Sequence, residues 1–306
     1  MATDFIPSYF RLAESGELEA RIQTTRQILS QCTLCPHQCK VNRFEKEKGF
    51  CRSGYLPEVS SYNAHFGEEP VLVGSGGSGT IFFTNCTLHC VFCQNYPISQ
   101  LGNGSVCNIE ELAGMYLALQ KRGCHNINFV TPTHFIVPIL EALSIAIERG
   151  FNLPLVYNTS GYEQVETIRL VENVFDIYMP DIKYASNEMA KKYSGVSDYV
   201  GNNRASLKEM YRQVGILTCD KRGVAQRGML VRHLVLPNNS AGSEDCLQFL
   251  EKELSPRIHL ALMSQYFPAY KAPETPPLDR RVDRESYLKL TALVDKIGFQ
   301  GWVQPI

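Results

Sequence analysis

The chain lacks an excess of charge of either sign: thirty lysines and arginines stand against thirty-one aspartates and glutamates, a formal net charge of −1. That balance does not make the electrostatic footprint of nonspecific nucleic-acid binding, so a nucleic-acid partner is not expected. Uncharged apolar runs near the ~20 residues of a membrane helix are also missing, so no membrane association is expected. The opening stretch MATDFIPSYFRLAESGELEAR is mixed and charged, without the apolar core of a signal peptide. These absences predict a cytoplasmic protein. Long repeats and low-complexity tracts are absent too.

What is present is 306 residues, 44% of them hydrophobic, enough to bury a full core. The length allows one large α/β domain with a small appendage, or two modest domains. Eleven cysteines need an explanation. A secreted disulfide scaffold is short and carries an export signal, whereas clustered cysteines in a reducing cytosol are metal ligands or catalytic thiols. Seven of the eleven fall into two clusters, at positions 32 to 51 and 86 to 93. Cys107, Cys124, Cys219 and Cys246 are scattered and read as ordinary buried or surface thiols.

From residue 80 onward a strand-then-helix rhythm sets in. Thr80 to Thr84 (TIFFT) is a short β-branched and aromatic run that reads as a buried strand. Asn108, with Glu111 three residues on, caps a helix that Gly123 ends. Asn128 to Thr131 is the next strand, followed by a helix through about Glu148 with Gly150 beyond it. Leu155 to Tyr157, Phe175 to Met179, Met229 to Leu236 and Ile258 to Met263 read as further strands, separated by helical patterns such as SEDCLQFLEKEL and RESYLKLTALVDKI. Alternation of this kind implies a parallel sheet with right-handed crossovers. Six units are too few for an eightfold barrel, so the expected fold is α/β: a partial (β/α)6 TIM-type barrel at 65–306, preceded by a helical, cysteine-rich N-terminal leader at 1–64. The glycine run at 74 to 79 and the proline-rich stretch Pro268 to Pro277 read as loops.

Strand TIFFT runs directly into Cys86-x3-Cys90-x2-Cys93. Chance yields that spacing in about one such chain in seventy, so it calls for a chemical reason. Three thiolates on one loop can ligate three irons of a cubane, whereas an ordinary [4Fe-4S] cluster takes four. The iron left open can then chelate a small molecule. A three-ligand zinc site is the alternative, and His89 inside the loop keeps it open.

Polar residues gather where the strands end, which is where α/β barrels build ligand sites. Asn85 follows the first strand, Thr131 to His134 the second, Asn158 to Ser160 the third, Asp181 and Lys183 the fourth, and Asn238 and Asn239 the fifth. If strand geometry continues through Asp181 and Lys183, both point to one face. An acid and a base beside a zwitterionic ligand would look like this, and so would a surface ion pair. Gly74-Ser75-Gly76-Gly77-Ser78-Gly79 matches G-x-G-x-x-G only formally, because a strand and not a helix follows it. It reads as a flexible turn, not a nucleotide site.

Cys32-x2-Cys35-x3-Cys39-x11-Cys51 is the second cluster. Four cysteines in twenty residues suit a closed tetrahedral zinc or an auxiliary iron–sulfur cluster, and four independent thiols are the plain alternative. Pro36 stiffens the first knuckle and Gly49 supplies a turn.

The Cys86-x3-Cys90-x2-Cys93 loop, with Phe92 just before its last cysteine, resembles the signature of the radical S-adenosylmethionine (SAM) superfamily. GSGTIFFTNCTLHCVFCQNYPIS is more narrowly similar to the activases of glycyl-radical enzymes, in the branch called pyruvate formate-lyase activating enzyme-like, or PflX-like. The resemblance covers roughly residues 65 to 306. It implies a [4Fe-4S] cluster on Cys86, Cys90 and Cys93 whose open iron binds the amino and carboxylate groups of SAM. One electron from the reduced cluster then cleaves the sulfonium, giving methionine and a 5′-deoxyadenosyl radical that abstracts hydrogen.

The resemblance also implies site residues. Phe92 of the signature loop joins the cofactor-binding set, beside Asn158 and Ser160 from the strand ends. Asp181-Ile182-Lys183 matches the Asp-x-Lys that helps orient SAM, and Arg232 in VRHLVLP matches an arginine that reaches the SAM carboxylate. The activases' Gly-Gly-Glu, which receives the SAM amino group, is replaced here by Thr131-Pro132-Thr133-His134. Thr133 and His134 are the candidate substitutes, with a satisfied structural histidine the plain alternative for His134. A similar cysteine-rich leader precedes the barrel in PflX-like proteins, which leaves its metal, iron–sulfur or zinc, open. The implied partners are SAM, a low-potential electron donor such as flavodoxin or ferredoxin, and a protein substrate whose glycine backbone loses hydrogen. The rival reading is a non-redox zinc-binding interaction module that uses both clusters structurally.

Overall fold

A computed structural model describes residues 5–45 and 47–306. Among these residues ten strands form one sheet: Glu58–His65 (β1), Ser78–Phe83 (β2), Ser105–Val106 (β3), Ile127–Val130 (β4), Leu155–Thr159 (β5), Ile177–Pro180 (β6), Thr218–Cys219 (β7), Ala225–Leu234 (β8), His259–Met263 (β9) and Gln300–Val303 (β10). Their order is β10-β9-β8-β6-β5-β4-β2-β1-β3, with β7 beside β8. The run from β2 to β10 is parallel throughout, and β1 and β3 add an antiparallel edge. The two ends of this path do not pair among the described residues, so the barrel is open and partial.

The six expected strands are β2, β4, β5, β6, β8 and β9. They read clearly because parallel strands covered on both faces become near-continuous apolar runs. Every residue of β5 and β6 is buried. β8 begins at Ala225, four residues before the expected start, and ends at Leu234. β10 extends the parallel run by a seventh strand that the sequence pattern did not reveal. Its QGWV is short, contains glycine and lies half-exposed at the sheet edge. β1, EVSSYNAH, is polar and pairs antiparallel with β2, so the expected 64/65 boundary falls one residue inside it.

Helices cover the outside of the sheet. Ile109–Lys121 starts with a capping box in which Asn108 and Glu111 satisfy each other's backbone N–H. Ile136–Glu148 is apolar on nearly every side, because it lies between the sheet and leader helix Glu17–Leu29. Arg26 ion-pairs with Glu141 there, and the Tyr55 hydroxyl donates to the same carboxylate. Leader residues Tyr9, Leu12, Leu18, Ile22, Leu29 and Leu34 belong to the same apolar core as the barrel helices. Each buried side chain of that size contributes ~1.5–3 kcal/mol, so apolar packing outweighs any single polar contact at this junction.

Inside the barrel, Leu72 from the one-turn helix Pro70–Val73 packs against Val156, Ile177, Met179 and Leu230. The glycine run then leads from that turn directly into β2, with His125 Nε2 accepting the Ser75 and Gly76 N–H groups at 3.2 and 2.9 Å. No helix follows it before β2, as the rejected dinucleotide reading would require.

Candidate active site

β2 ends at Phe83, and the backbone turns through Asn85 in the left-handed region (φ 65°) into Cys86. Thr131, just past β4, is left-handed as well (φ 59°), with its N–H donating to the Asn158 carbonyl at 2.8 Å. A β-branched residue there costs ~1–3 kcal/mol, which local packing has to offset. Both strained residues line a cavity of about 140 Å³ at the carboxyl ends of the strands. Cys86, Cys90 and Cys93 open on this cavity, together with Asn158, Ser160, Asp181, Lys183 and Arg232.

Each thiol has a polar partner. Cys86 Sγ accepts the Leu88 N–H at 3.3 Å, Cys90 Sγ lies 3.0 Å from Ser194 Oγ, and Cys93 Sγ lies 3.0 Å from Ser99 Oγ. Burial pushes the Cys86 thiol up. It also raises Cys90, to about 11, although the Lys183 ammonium pulls that group back down. Metal binding here would therefore release protons. Three thiols on one cavity are a donor set that can hold three irons of a cubane and leave the fourth facing the polar groups.

Those polar groups form one network. Lys183 Nζ lies 2.5 Å from Asp181 Oδ2, Arg232 Nε lies 2.9 Å from Asp181 Oδ1, and Arg232 Nη2 donates to Asn158 Oδ1 at 2.7 Å. Burial alone would push Asp181 up, but Arg232 and Lys183 hold its carboxyl below the usual range. Burial would likewise lower Lys183, and Asp181 with Cys90 more than reverses that. All three stay ionised. Their side chains are only 14–18% exposed, which sets aside the surface ion pair. The Ser160 hydroxyl is buried on the same cavity and has no partner among the described residues.

The structure does not bring Phe92, Thr133 or His134 to this cavity. Phe92 packs edge-on against Tyr184 and Tyr266, at 6.5 and 6.1 Å between ring centres, and so supports the cysteine loop. A 3-10 turn starts at Thr133 and carries both following side chains into the core. Thr133 donates to Glu163 Oε1 at 2.7 Å. His134 Nε2 donates to the Thr84 carbonyl at 2.8 Å. Burial lowers His134 to about 3, so it is neutral. Asn238 and Asn239 lie outside the cavity too, where Asn239 Oδ1 accepts the Ser243 N–H that opens helix Ser243–Glu253.

Several contributors carried no sequence signal. Tyr199 and Asn203, one turn apart on helix Tyr199–Val214, clamp the ends of β5 and β6. The Tyr199 hydroxyl donates to the Ser160 carbonyl at 2.9 Å and accepts the Lys183 N–H at 3.0 Å, while Asn203 Nδ2 donates to the Asp181 carbonyl at 3.0 Å. Gly161 (φ +73°) is required there, since a Cβ would come within 2.2 Å of the Asp181 carbonyl oxygen. Glu68, 3.9 Å from Arg232 Nη1, arrives from the segment that enters the barrel.

The leader cysteines Cys32, Cys35, Cys39 and Cys51 line one small cavity with Arg43 and His134. Among the described residues, no three His, Cys, Asp or Glu side chains are placed to hold a single metal ion, in the leader or in the barrel loop.

Residues 80–239 match the Radical SAM superfamily. The uncharacterized protein MJ0674 of Methanocaldococcus jannaschii is 34% identical over 292 residues, covering 91% of this chain and 78% of that protein. Two solved structures are similar. One is SuiB of Streptococcus suis, with a TM-score of 0.45 and 10% identity over 72% of this chain and 47% of that chain. The other is methylornithine synthase, PylB, with a TM-score of 0.48 and 15% identity over 72% of this chain and 62% of that one. This chain therefore spans less than two thirds of either solved chain. The family match begins in β2, takes in the cysteine loop and runs past Arg232, so it contains the whole cavity described above; the chain belongs to the radical SAM superfamily, whose members carry out radical chemistry with a [4Fe-4S] cluster and SAM.

Proposed function

We propose that Cys86, Cys90 and Cys93 hold the [4Fe-4S] cluster, and that Asn158, Ser160, Asp181, Lys183 and Arg232 bind SAM against its open iron. The carrying observation is that these five polar side chains and three thiols share one cavity. When bound and reduced, the cluster supplies the electron that splits the SAM sulfonium into methionine and a 5′-deoxyadenosyl radical. Lys183 and Arg232 present their cationic groups on this cavity for the SAM carboxylate, held in place by Asp181 and Glu68, and the Ser160 hydroxyl, without a partner among the described residues, faces a polar SAM group. Ser194 and Ser99 hydroxyls beside Cys90 and Cys93 help hold the two thiols in position.

The substrate reading is an activase of a glycyl-radical protein, with hydrogen taken from a glycine backbone. The similarity of GSGTIFFTNCTLHCVFCQNYPIS and of Asp181-Ile182-Lys183 to the activases supports it. The same reading includes a ferredoxin- or flavodoxin-type donor, a second metal centre in the leader, and a cytoplasmic site of action suited to eleven free thiols. Among the described residues no helix is long and apolar enough to cross a membrane.

The test begins with anaerobic purification. Brown protein absorbing near 400 nm and forming 5′-deoxyadenosine with dithionite and SAM agrees with the cluster assignment. Colourless, zinc-loaded protein without turnover would return the chain to the interaction-module reading. Anaerobic crosslinking followed by EPR of the captured partner tests the substrate: a glycine-centred radical supports an activase, and turnover coupled to a small molecule alone overturns it.

A further inference from the structure

We propose that Cys32, Cys35, Cys39 and Cys51 hold a second, fully ligated four-iron cluster, placed to exchange electrons with the barrel cluster. This inference rests on the barrel-loop assignment above. Three observations carry it: charge, spacing and contact.

The first is charge. Arg43 lines the cysteine cavity and is 2% exposed. Its Nε and Nη2 donate to the carbonyls of Ser53 and Gly54, and Nη1 is buried without a partner among the described residues. A buried guanidinium held by two carbonyls and the face of Phe135, 5.9 Å from its Cζ, is still costly unless an anion lies close. Four thiolates on a dicationic metal core carry a net charge of about −2 and supply that anion. A zinc ion with four thiolates would carry the same charge, so this observation argues for a metal, the next for iron and the third for electron exchange.

The second is spacing. Zinc draws four sulfurs to ~2.3 Å from one centre, and the leader thiols do not close on a single-ion site. The barrel loop does not either, although the family implies a cluster there. A cubane puts each thiolate on its own iron and so needs the sulfurs further apart. The two loops also share their gaps in opposite order, x2 then x3 at 32–39 and x3 then x2 at 86–93. Cys51 adds the fourth thiolate that the barrel loop lacks.

The third is contact between the loops. His37 lies between Cys35 and Cys39, Phe50 immediately before Cys51, and His89 immediately before Cys90. Their rings stack in one column, at 3.7 Å and 17° for His37 on Phe50 and at 4.0 Å and 21° for Phe50 on His89. His37 Nε2 also lies 2.9 Å from the Thr87 carbonyl, inside the barrel loop. Rings in van der Waals contact leave no water-filled gap between the two loops. One electron from a ferredoxin- or flavodoxin-type donor reduces the leader cluster. That cluster passes the electron on, returns to its oxidised form, and the barrel cluster is reduced by one.

The experiment uses the full chain, reconstituted anaerobically with iron and sulfide. Wild type should hold about eight irons, and the Cys86→Ser/Cys90→Ser/Cys93→Ser variant about four with a reduced-cluster EPR signal of its own. Cys35→Ser should lose or perturb that second signal and keep the barrel signal. The fully reduced wild-type spectrum should differ from the sum of the two separate signals, through magnetic coupling of neighbouring clusters. A triple variant with one zinc or no metal overturns the leader cluster, and a wild-type spectrum equal to the sum overturns the electron exchange. If the triple variant keeps every iron of the wild type, the barrel assignment has failed and the leader proposal stands.

Discussion

The two cysteine loops use the same donor atoms over the same eight-residue span, yet their surroundings differ. The barrel loop hangs on the end of a buried parallel strand and opens on a cavity with Asp181, Lys183 and Arg232. The leader loop hangs on no strand and is closed over by Arg43, His134 and a fourth cysteine. Under the proposed assignments, three thiolates facing a charged cavity leave room for a ligand, and four facing a buried cation leave none. Ligand count and the opposite wall, more than the loop spacing, would then separate a reactive centre from a supporting one.

The sharpest way to break that contrast is to remove a barrel ligand. Alanine at Cys86, Cys90 or Cys93 should abolish the reduced-cluster EPR signal of this site and all 5′-deoxyadenosine formation. Turnover retained in Cys93→Ala would end the assignment. A smaller effect is expected from the opposite wall. Asp181→Ala, Lys183→Ala and Arg232→Ala should each weaken SAM binding by ~1.5–3 kcal/mol, ten- to hundredfold, with iron content unchanged. Loss of iron or of folding with normal SAM affinity in the remaining protein would make these residues structural.

Acid should act on the barrel wall through His233. Its Nδ1 donates to the Ile182 carbonyl at 2.6 Å, between Asp181 and Lys183, and its Nε2 accepts from Ser243 Oγ at 2.8 Å. Burial lowers this histidine from the usual 6.5 to about 4. A depressed histidine stabilises fully above its unfolded value, and that contribution is lost as pH falls from about 6.5 through 4. The slope is ~1.4 kcal/mol per pH unit per histidine. Denaturant unfolding of His233→Gln should therefore be flatter with pH over this window than that of wild type. Parallel profiles would show that His233 does not titrate there.

The smallest effect is expected when the leader is disturbed and the donor bypassed. Cys35→Ala should lower stability or partner turnover but keep dithionite-driven SAM cleavage within about tenfold, ~1.4 kcal/mol in barrier. The reading is 5′-deoxyadenosine yield per barrel-cluster iron without substrate. Complete loss with an intact barrel cluster would make the two loops one functional unit.

By itself the sequence determined six of the barrel strands and put forward the cysteine loop, Asp181-Ile182-Lys183 and Arg232 as site candidates. Buried parallel strands write their apolar runs locally, and cysteines on one loop write their spacing locally. Tertiary structure alone decided what could not be local. The Thr131-Pro132-Thr133-His134 turn looked like a substitute SAM contact, but the 3-10 turn sends Thr133 to Glu163 and His134 to Thr84. Tyr199 and Asn203 became clamps only because their helix packs on the ends of β5 and β6, about forty residues from Ser160 and Gly161 in the chain. β1 and β10 belong to the sheet through partners that their polar, glycine-bearing sequences do not announce. The His37–Phe50–His89 column likewise exists only because leader and barrel share one apolar core, which presses together loops that are fifty residues apart in the chain.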